Sequence, residues 1–219
     1  MSSDTGPDVA RAREVALELL GDAPEGSALD AATVTLVSFA VASAPTTLNR
    51  VAMRQHAERA LELGVTLEEL AEATLLASAI GVHGLHEAPK ILRDVVESGG
   101  EAFPELDAET EAYRRRLLDD PYWQRLNATM PGRIDALLQL SNSAFHAFVD
   151  YVAVPWKTGS LSPKTKELIY VAIDTMPTHR YLPGMRFHIE NALALGTSRQ
   201  ELIDVLDISA AAGPGHGVE

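Results

Sequence analysis

The chemistry open to this chain rests on histidine and carboxylate, because its 219 residues include seven histidines and no cysteine. One pattern, Met-Arg-x-His-x-Glu, occurs twice: Met53 to Glu58 and Met185 to Glu190, 132 residues apart. Histidine is the side chain whose ordinary titration falls near neutral pH, so His188 and His56 are candidates for proton transfer. On a helix, Met185, His188, Ile189, Ala192 and Leu195 share one face, which points His188 inward. The alternative is a core histidine with one satisfied hydrogen bond. Glu167 is the natural acid–base partner of His188: a carboxylate facing a half-buried pocket has a raised pKa, useful near neutrality. It also fits a solvent-facing first-turn glutamate favoured by the helix dipole. His56 has Thr35 in the place of Glu167. His179 lies in a turn before the motif helix, where it would polarise a carbonyl or shuttle a proton; an exposed loop histidine is the other reading. Arg186 and Glu190, like Arg54 and Glu58, are four apart. That spacing gives a surface ion pair or, for Arg186, a clamp on a substrate carboxylate. Tyr181 and Tyr170 are further candidate hydrogen-bond donors. His83, His86 and His216 sit in glycine-rich breaks, and His146 reads as structural or as a subunit contact.

The elements that position these groups are helices. The two motif copies belong to a longer internal duplication that runs without a gap from Leu29/Leu161 to Glu87/Glu219. Two copies make a duplication, not a solenoid. Apolar spacing predicts a short helix over 9–20. In the first copy, Asp30 caps a helix to about Ala44 and a second runs from about Leu48 to Leu63. A third opens at the capping box Thr66-Leu67-Glu68-Glu69. After a break at Gly81–Gly84, a further helix spans about 86–96. Pro and Gly punctuate 98–131, read as a surface connector with one helix from Asp107 to Leu118. A single long helix is predicted from Arg133 to Val154. The second copy repeats the first, with Ser162 as cap, Pro163 at the first helical position, the motif helix from Leu182 to Leu195, and a capping box at Ser198–Glu201. No strand alternation is found, so the predicted fold is all-α. The division is 1–97 for the N-terminal repeat, 98–130 for the connector and 131–219 for the C-terminal repeat.

Composition narrows the function further. Hydrophobic residues make up 46 % and charged residues 22 %, an ordinary globular balance. The net charge of −13 argues against binding a phosphate backbone, so no nucleic-acid partner is expected. Without cysteine, disulfides, thiolate metal ligands and cysteine nucleophiles are excluded. The polar start of the chain lacks a secretory core, and no apolar run approaches a membrane span. A soluble, cytoplasmic protein without a membrane partner is the expectation.

At Leu161-Ser162-Pro163-Lys164-Thr165-Lys166-Glu167-Leu168-Ile169, followed by His188, Ala192, Leu195-Gly196 and the capped helix at Ser198, the sequence resembles the carboxymuconolactone decarboxylase superfamily. That superfamily includes the alkylhydroperoxidase D-like proteins. The resemblance covers about 131–219 directly and 29–97 through the repeat. It implies an all-helical fold in which two fused repeats form a pseudo-dimer, and a ring-like homo-oligomer, here a trimer of two-repeat chains. The redox branch carries a Cys-x-x-Cys pair, a histidine four residues later and an upstream glutamate. Counted back from His188, the two cysteine positions fall on Tyr181 and Gly184. Counted back from His56, they fall on Asn49 and Ala52. The Glu-to-His interval is two residues longer here, and counted forward from Glu167 the first position lands on His179. Thiol peroxidase chemistry has no thiol to use, which leaves the decarboxylase branch as the closer analogue.

The leading expectation is a cofactor-independent lyase, decarboxylase or isomerase acting on a small organic acid, lactone or carbonyl compound. Its catalytic residues would be His188, Glu167 and His179, and its substrate-binding residues Arg186, Tyr181, His216 and His56, with no metal. A non-catalytic binding or assembly protein of the same fold is the alternative. A metal-dependent enzyme using His179, His188 and His216 is the second.

Overall fold

The computed structural model describes residues 9–21 and 23–213, and they are all-α: twelve α-helices and one 3-10 turn, with no strand among them. No helix among the described residues is long and apolar enough to cross a membrane. The chain divides into two compact units. One combines the residues up to Ile80 with those from Val154 onward, and the other is Gly81–Ala153.

The first unit contains α1 (Val9–Leu20), α2 (Ala31–Ser43), α3 (Arg50–Glu62), α4 (Leu67–Ser78), α10 (Pro163–Thr175), α11 (Leu182–Ala194) and α12 (Arg199–Ala210). The bounds of α10, α11 and α12 each lie 132 residues beyond those of α2, α3 and α4. Local chemistry sets the starts of α2 and α10, and of α4 and α12, in the same way. The Asp30 carboxylate accepts from Thr33 N at 2.9 Å, and the Ser162 hydroxyl accepts from Thr165 N at 3.1 Å. Thr66–Glu69 and Ser198–Glu201 both form complete capping boxes, which satisfy backbone N–H groups that a helix start leaves free.

Helix α10 is buried continuously from Lys166 to Thr175, the pattern of a central core helix. It packs on α11 and α12, as α2 packs on α3 and α4. The two sets meet through α10 with α2, and through the matched contacts α10 with α4 and α2 with α12. This is the arrangement of a local two-fold axis. Thr178 Oγ1 donates to Thr46 Oγ1 at 3.0 Å, joining equivalent positions of the two copies. Leu161 N donates to Glu72 Oε2 at 3.3 Å, and the matching Leu29 N donates to Asp204 Oδ2 at 2.8 Å.

The second unit holds α5 (His83–Ser98), α6 (Ala108–Leu117), α7 (Pro121–Thr129), α8 (Arg133–Leu140) and the first part of α9 (Asn142–Thr158). Its core is Ile134, Leu137, Leu138 and Phe145, against which Leu106, Tyr113, Leu117 and Trp123 pack. Arg114 pairs with Asp135, and Arg133 with Glu87.

Three local features differ from the sequence expectation. The predicted helix over 133–154 is two helices, because Ser141 leaves the helical region (φ −162°, ψ 98°) and its hydroxyl accepts from Ala144 N at 3.2 Å. Serine competes for backbone partners in this way. Helix α9 then runs on through Pro155 to Thr158. Helix α7 lies in the stretch whose Pro and Gly residues predict a connector, yet Asp120 caps it and Pro121 occupies its first turn, where a missing N–H leaves no bond unmade. The break predicted at 81–84 is a 3-10 turn over Ala79–Val82 that runs into α5 at His83.

Candidate active site

The polar groups of the second copy meet in the seam between α10 and α11. On α10, Glu167 and Asp174 are seven residues apart, which places them on one face two turns apart with Tyr170 between. On α11, Gly184, His188 and Asn191 share the facing side by the same spacing. Glu167 and His188 are both buried, and His188 Nδ1 lies 2.7 Å from Glu167 Oε2. Asn191 Nδ2 donates to Glu167 Oε1 at 3.1 Å. Both oxygens of Glu167 are therefore engaged. A carboxylate acceptor on Nδ1 fixes the proton on that nitrogen and turns Nε2 away from Glu167. Tyr170 holds the ring from one face, with centroids 4.5 Å apart and planes 26° from parallel. Burial works against the charged imidazole, but the Glu167 carboxylate, by charge and hydrogen bond, and the Asp174 charge outweigh it. They raise the pKa of His188 above its ordinary 6.5.

Asp174 is 1 % exposed. Its carboxyl occupies the space above Gly184: a Cβ there would stand 2.2 Å from Asp174 Oδ2 and 2.8 Å from Tyr181 Cδ1. Burial pushes the Asp174 carboxyl up to about 7; the nearby His188 opposes this and the Glu167 charge adds to it. His179 Nε2 is 3.9 Å from Asp174 Oδ1, wider than a hydrogen bond. Burial lowers the His179 pKa to about 4, so at neutral pH the imidazole is neutral, while the Asp174 carboxyl gains and loses its proton around neutrality.

One backbone turn carries His179 and Tyr181 to this place. Arg180 N donates to Met176 O at 3.1 Å and Tyr181 N to Asp174 O at 2.8 Å; in the first copy Leu48 N donates to Ala44 O at 2.9 Å and Asn49 N to Ala42 O at 2.9 Å. Arg180 (φ 53°) and Leu48 (φ 38°) share the left-handed backbone conformation. The two scaffolds match while their polar contents do not. Where the second copy has Glu167, Tyr170, Asp174, His179, Gly184 and Asn191, the first has Thr35, Ser38, Ala42, Thr47, Ala52 and Arg59. Thr35 Oγ1 donates to Ala31 O at 2.7 Å, and Thr47 Oγ1 to Ala44 O at 3.0 Å. His56 persists, half-buried, with its pKa lowered by burial alone.

The structure thus brings together His188, Glu167, His179 and Tyr181, whose ring lies 5.9 Å from that of His179. Arg186 is elsewhere: two residues from His188 is about 200° around a helix, and it lies in the half-exposed stripe of α11 with exposed Glu190. Its counterpart Arg54 sits 3.8 Å from Glu58, both exposed. His56 belongs to the other copy, and His216 lies outside the described residues.

Sequence reasoning missed Asp174, Asn191 and the role of Gly184. The signal was available by subtraction, since each is a position where the two otherwise similar copies differ. It also missed a buried ion pair behind Tyr170. Lys166 Nζ stands 2.6 Å from Glu72 Oε1 and donates to Pro155 O at 2.7 Å. It lies 5.3 Å from the centre of the Trp156 ring, which stacks on Tyr170. Burial opposes the Glu72 charge, but its hydrogen bonds, that to Lys166 foremost, hold its pKa below the ordinary value.

Residues 143–216 match the model of the carboxymuconolactone decarboxylase family. No curated protein matches the chain. Among solved structures it is similar to a crystal structure from Burkholderia xenovorans LB400, of a protein that carries the provisional name gamma-carboxymuconolactone decarboxylase subunit. The TM-score is 0.70 and the identity 31 %, over 93 % of this chain and 90 % of that one. With that likeness along nearly its whole length, the chain belongs to the carboxymuconolactone decarboxylase family.

Proposed function

We propose that the protein is a decarboxylase-type lyase that acts by acid–base chemistry on a small carboxylated lactone or related carbonyl acid, at the α10–α11 seam of its second copy. One observation carries this reading. The second copy buries Glu167, Asp174, His188 and Asn191 in a helix pair that the first copy builds with Thr35, Ala42, His56 and Arg59. Burying ionisable groups is unfavourable unless they are paired, and the first copy is a scaffold of the same helices that does without the carboxylates. Clustered groups with perturbed titration are the expected mark of a site. Family membership and the name of the Burkholderia protein favour decarboxylation among the acid–base reactions.

In this mechanism Glu167 holds His188 in one tautomer and one orientation. The imidazole, its pKa raised by Glu167, presents Nε2 to the carbonyl conjugated with the departing carboxylate. As the carbon–carbon bond breaks, the electron pair moves into that carbonyl, and the imidazolium stabilises the developing enolate oxygen. Carbon dioxide leaves, and the enolate carbon takes a proton. The absence of cysteine excludes thiol chemistry from the same seam.

A homo-oligomer, a trimer of two-repeat chains, is part of this proposal. The family resemblance supports it, as does the exposed apolar stripe of α5, with Ile91 57 % and Val95 63 % exposed. Light scattering showing a monomer would contradict that part alone.

The test is turnover. Purified protein is given gamma-carboxymuconolactone and related lactones, with carbon dioxide release as the readout. Wild type should be active and Glu167→Gln should lose about 10²–10⁴-fold in kcat, the usual contribution of a positioned acid–base group. No turnover of any such lactone, or an unimpaired Glu167→Gln protein, would overturn the reading.

A further inference from the structure

The decarboxylation reading leaves one step without an owner, the delivery of a proton to the enolate carbon once carbon dioxide has left. Glu167 is poorly placed for it. Oε2 is committed to His188 Nδ1 and Oε1 to Asn191 Nδ2, so Glu167 acts through the histidine it orients. The seam contains a second carboxyl. Asp174 stands two turns along α10 from Glu167, on the same face, close enough to His188 for the titrations of the two groups to be linked.

Resting on the decarboxylase reading, we propose that Asp174 is a second catalytic carboxyl of this site, the acid that protonates the enolate carbon formed when carbon dioxide departs, and that His179 is the group through which it is recharged.

Three observations converge on this assignment. First, the carboxyl is fitted into the helix interface by a paired change. A Cβ at position 184 would meet Asp174 Oδ2 at 2.2 Å and Cγ at 3.1 Å, so this carboxyl requires glycine there. The first copy has alanine at both equivalent positions, Ala42 and Ala52. The same turn therefore packs with two methyl groups in one copy and with a carboxyl over a glycine in the other. Packing alone is served by the first solution. Second, the placement shifts the carboxyl toward its protonated form. Asp174 lies within the field of the Glu167 carboxylate and is 1 % exposed, and burial beside a like charge favours the neutral acid. Its pKa, up to about 7, matches a group that both gives and regains a proton near neutrality. Third, the couple reaches the outside. His179 Nε2 is 3.9 Å from Asp174 Oδ1, and the His179 side chain is 17 % exposed. Its counterpart Thr47 cannot relay a proton in this way; its hydroxyl is bound to Ala44 O at 3.0 Å.

The step balances. The carbon–carbon bond to the substrate carboxylate breaks and its electron pair forms an enolate through the conjugated carbonyl, held by His188. Asp174 O–H gives its proton to the enolate carbon, and the carbonyl re-forms. The Asp174 carboxylate then takes one proton from solvent through the neutral His179 imidazole. The sum is substrate carboxylate plus one proton giving carbon dioxide and the protonated product.

The experiment uses gamma-carboxymuconolactone as substrate, the full chain, and the double variant Asp174→Ala/Gly184→Ala, which rebuilds the packing of Ala42 and Ala52. The double variant should fold with a Tm at or above that of wild type, keep KM within about threefold and lose at least about 100-fold in kcat, the lower end of general-acid contributions. Should it fail to fold, Asp174→Asn is judged by the same kcat criterion. A kcat within about threefold of wild type, in a protein whose Glu167→Gln variant is inactive, would overturn the role of Asp174 and leave the decarboxylase reading standing. Wild type inert toward every lactone would overturn that reading, and this proposal with it.

Discussion

Replacing Asp174 by asparagine keeps the shape of the neutral carboxyl and removes its titration, which makes the pH dependence of stability calculable. The ordinary value for this group is 3.8, and burial raises it to about 7 in the folded chain. Below 3.8 both folded and unfolded forms hold the proton, and Asp174 contributes no difference. Between 3.8 and about 7 the unfolded chain releases the proton while the folded chain keeps it, so stability falls as pH rises. Above about 7 both forms are ionised and the loss is complete, about 4 kcal/mol at 1.36 kcal/mol per pH unit. Between about pH 5 and about pH 8.5 the wild type should lose about 3 kcal/mol through this group. The histidines add their own slopes. His179, lowered to about 4, contributes stability that is lost as pH falls below 6.5. His188, raised above 6.5, contributes stability that is lost as pH rises through its folded value. Both remain in the asparagine variant, so the difference between the two proteins reports Asp174 together with its charge coupling to His188 and Glu167. Urea unfolding at the two pH values gives the comparison directly. Asp174→Asn should gain about 3 kcal/mol on wild type between acid and alkaline pH. A gap constant to within about 0.5 kcal/mol would refute the burial argument.

Two further outcomes follow from packing. Gly184→Ala places a methyl 2.2 Å from Asp174 Oδ2, an overpacking that should destabilise by about 1–3 kcal/mol; combined with Asp174→Ala the loss should vanish, and simple additivity in the double-mutant cycle would contradict the paired fit. Lys166→Met leaves the Glu72 carboxylate buried and uncompensated, a loss of about 3–5 kcal/mol. Adding Glu72→Gln, which keeps an acceptor for Ser160 N and Leu161 N, should recover more than half of it in thermal or urea unfolding, and a single-variant loss under about 1 kcal/mol would argue against the pair.

Helix ends were legible because their determinants are local. Asp30, Ser162 and the two capping boxes lie within three residues of the backbone groups they satisfy, and those spacings can be read from the chain. The break at Ser141 is local too, but a serine within a long apolar pattern reads equally as a helical position until its cap bond is seen. The site was legible in part. His188 and Glu167 stand in recognisable places, and helical spacing turned the histidine inward. Asp174 follows Val171-Ala172-Ile173 at the end of a helix, where aspartate ordinarily faces water; its burial depends on Gly184 of another helix. Lys166 and Glu72 are a pair formed across the two copies, and no spacing within either helix signals it. For Arg186 the converse holds. Motif identity between the copies drew attention to it, whereas the helix turns it about 200° from His188.

The two histidines that the copies share test most directly whether the second copy works and the first supports it. Turnover of gamma-carboxymuconolactone is measured side by side for wild type, His188→Gln and His56→Gln. The account predicts a loss of about 100-fold or more in kcat/KM for His188→Gln and a change within about threefold for His56→Gln. Equal losses in both variants, or full activity without His188, would contradict it.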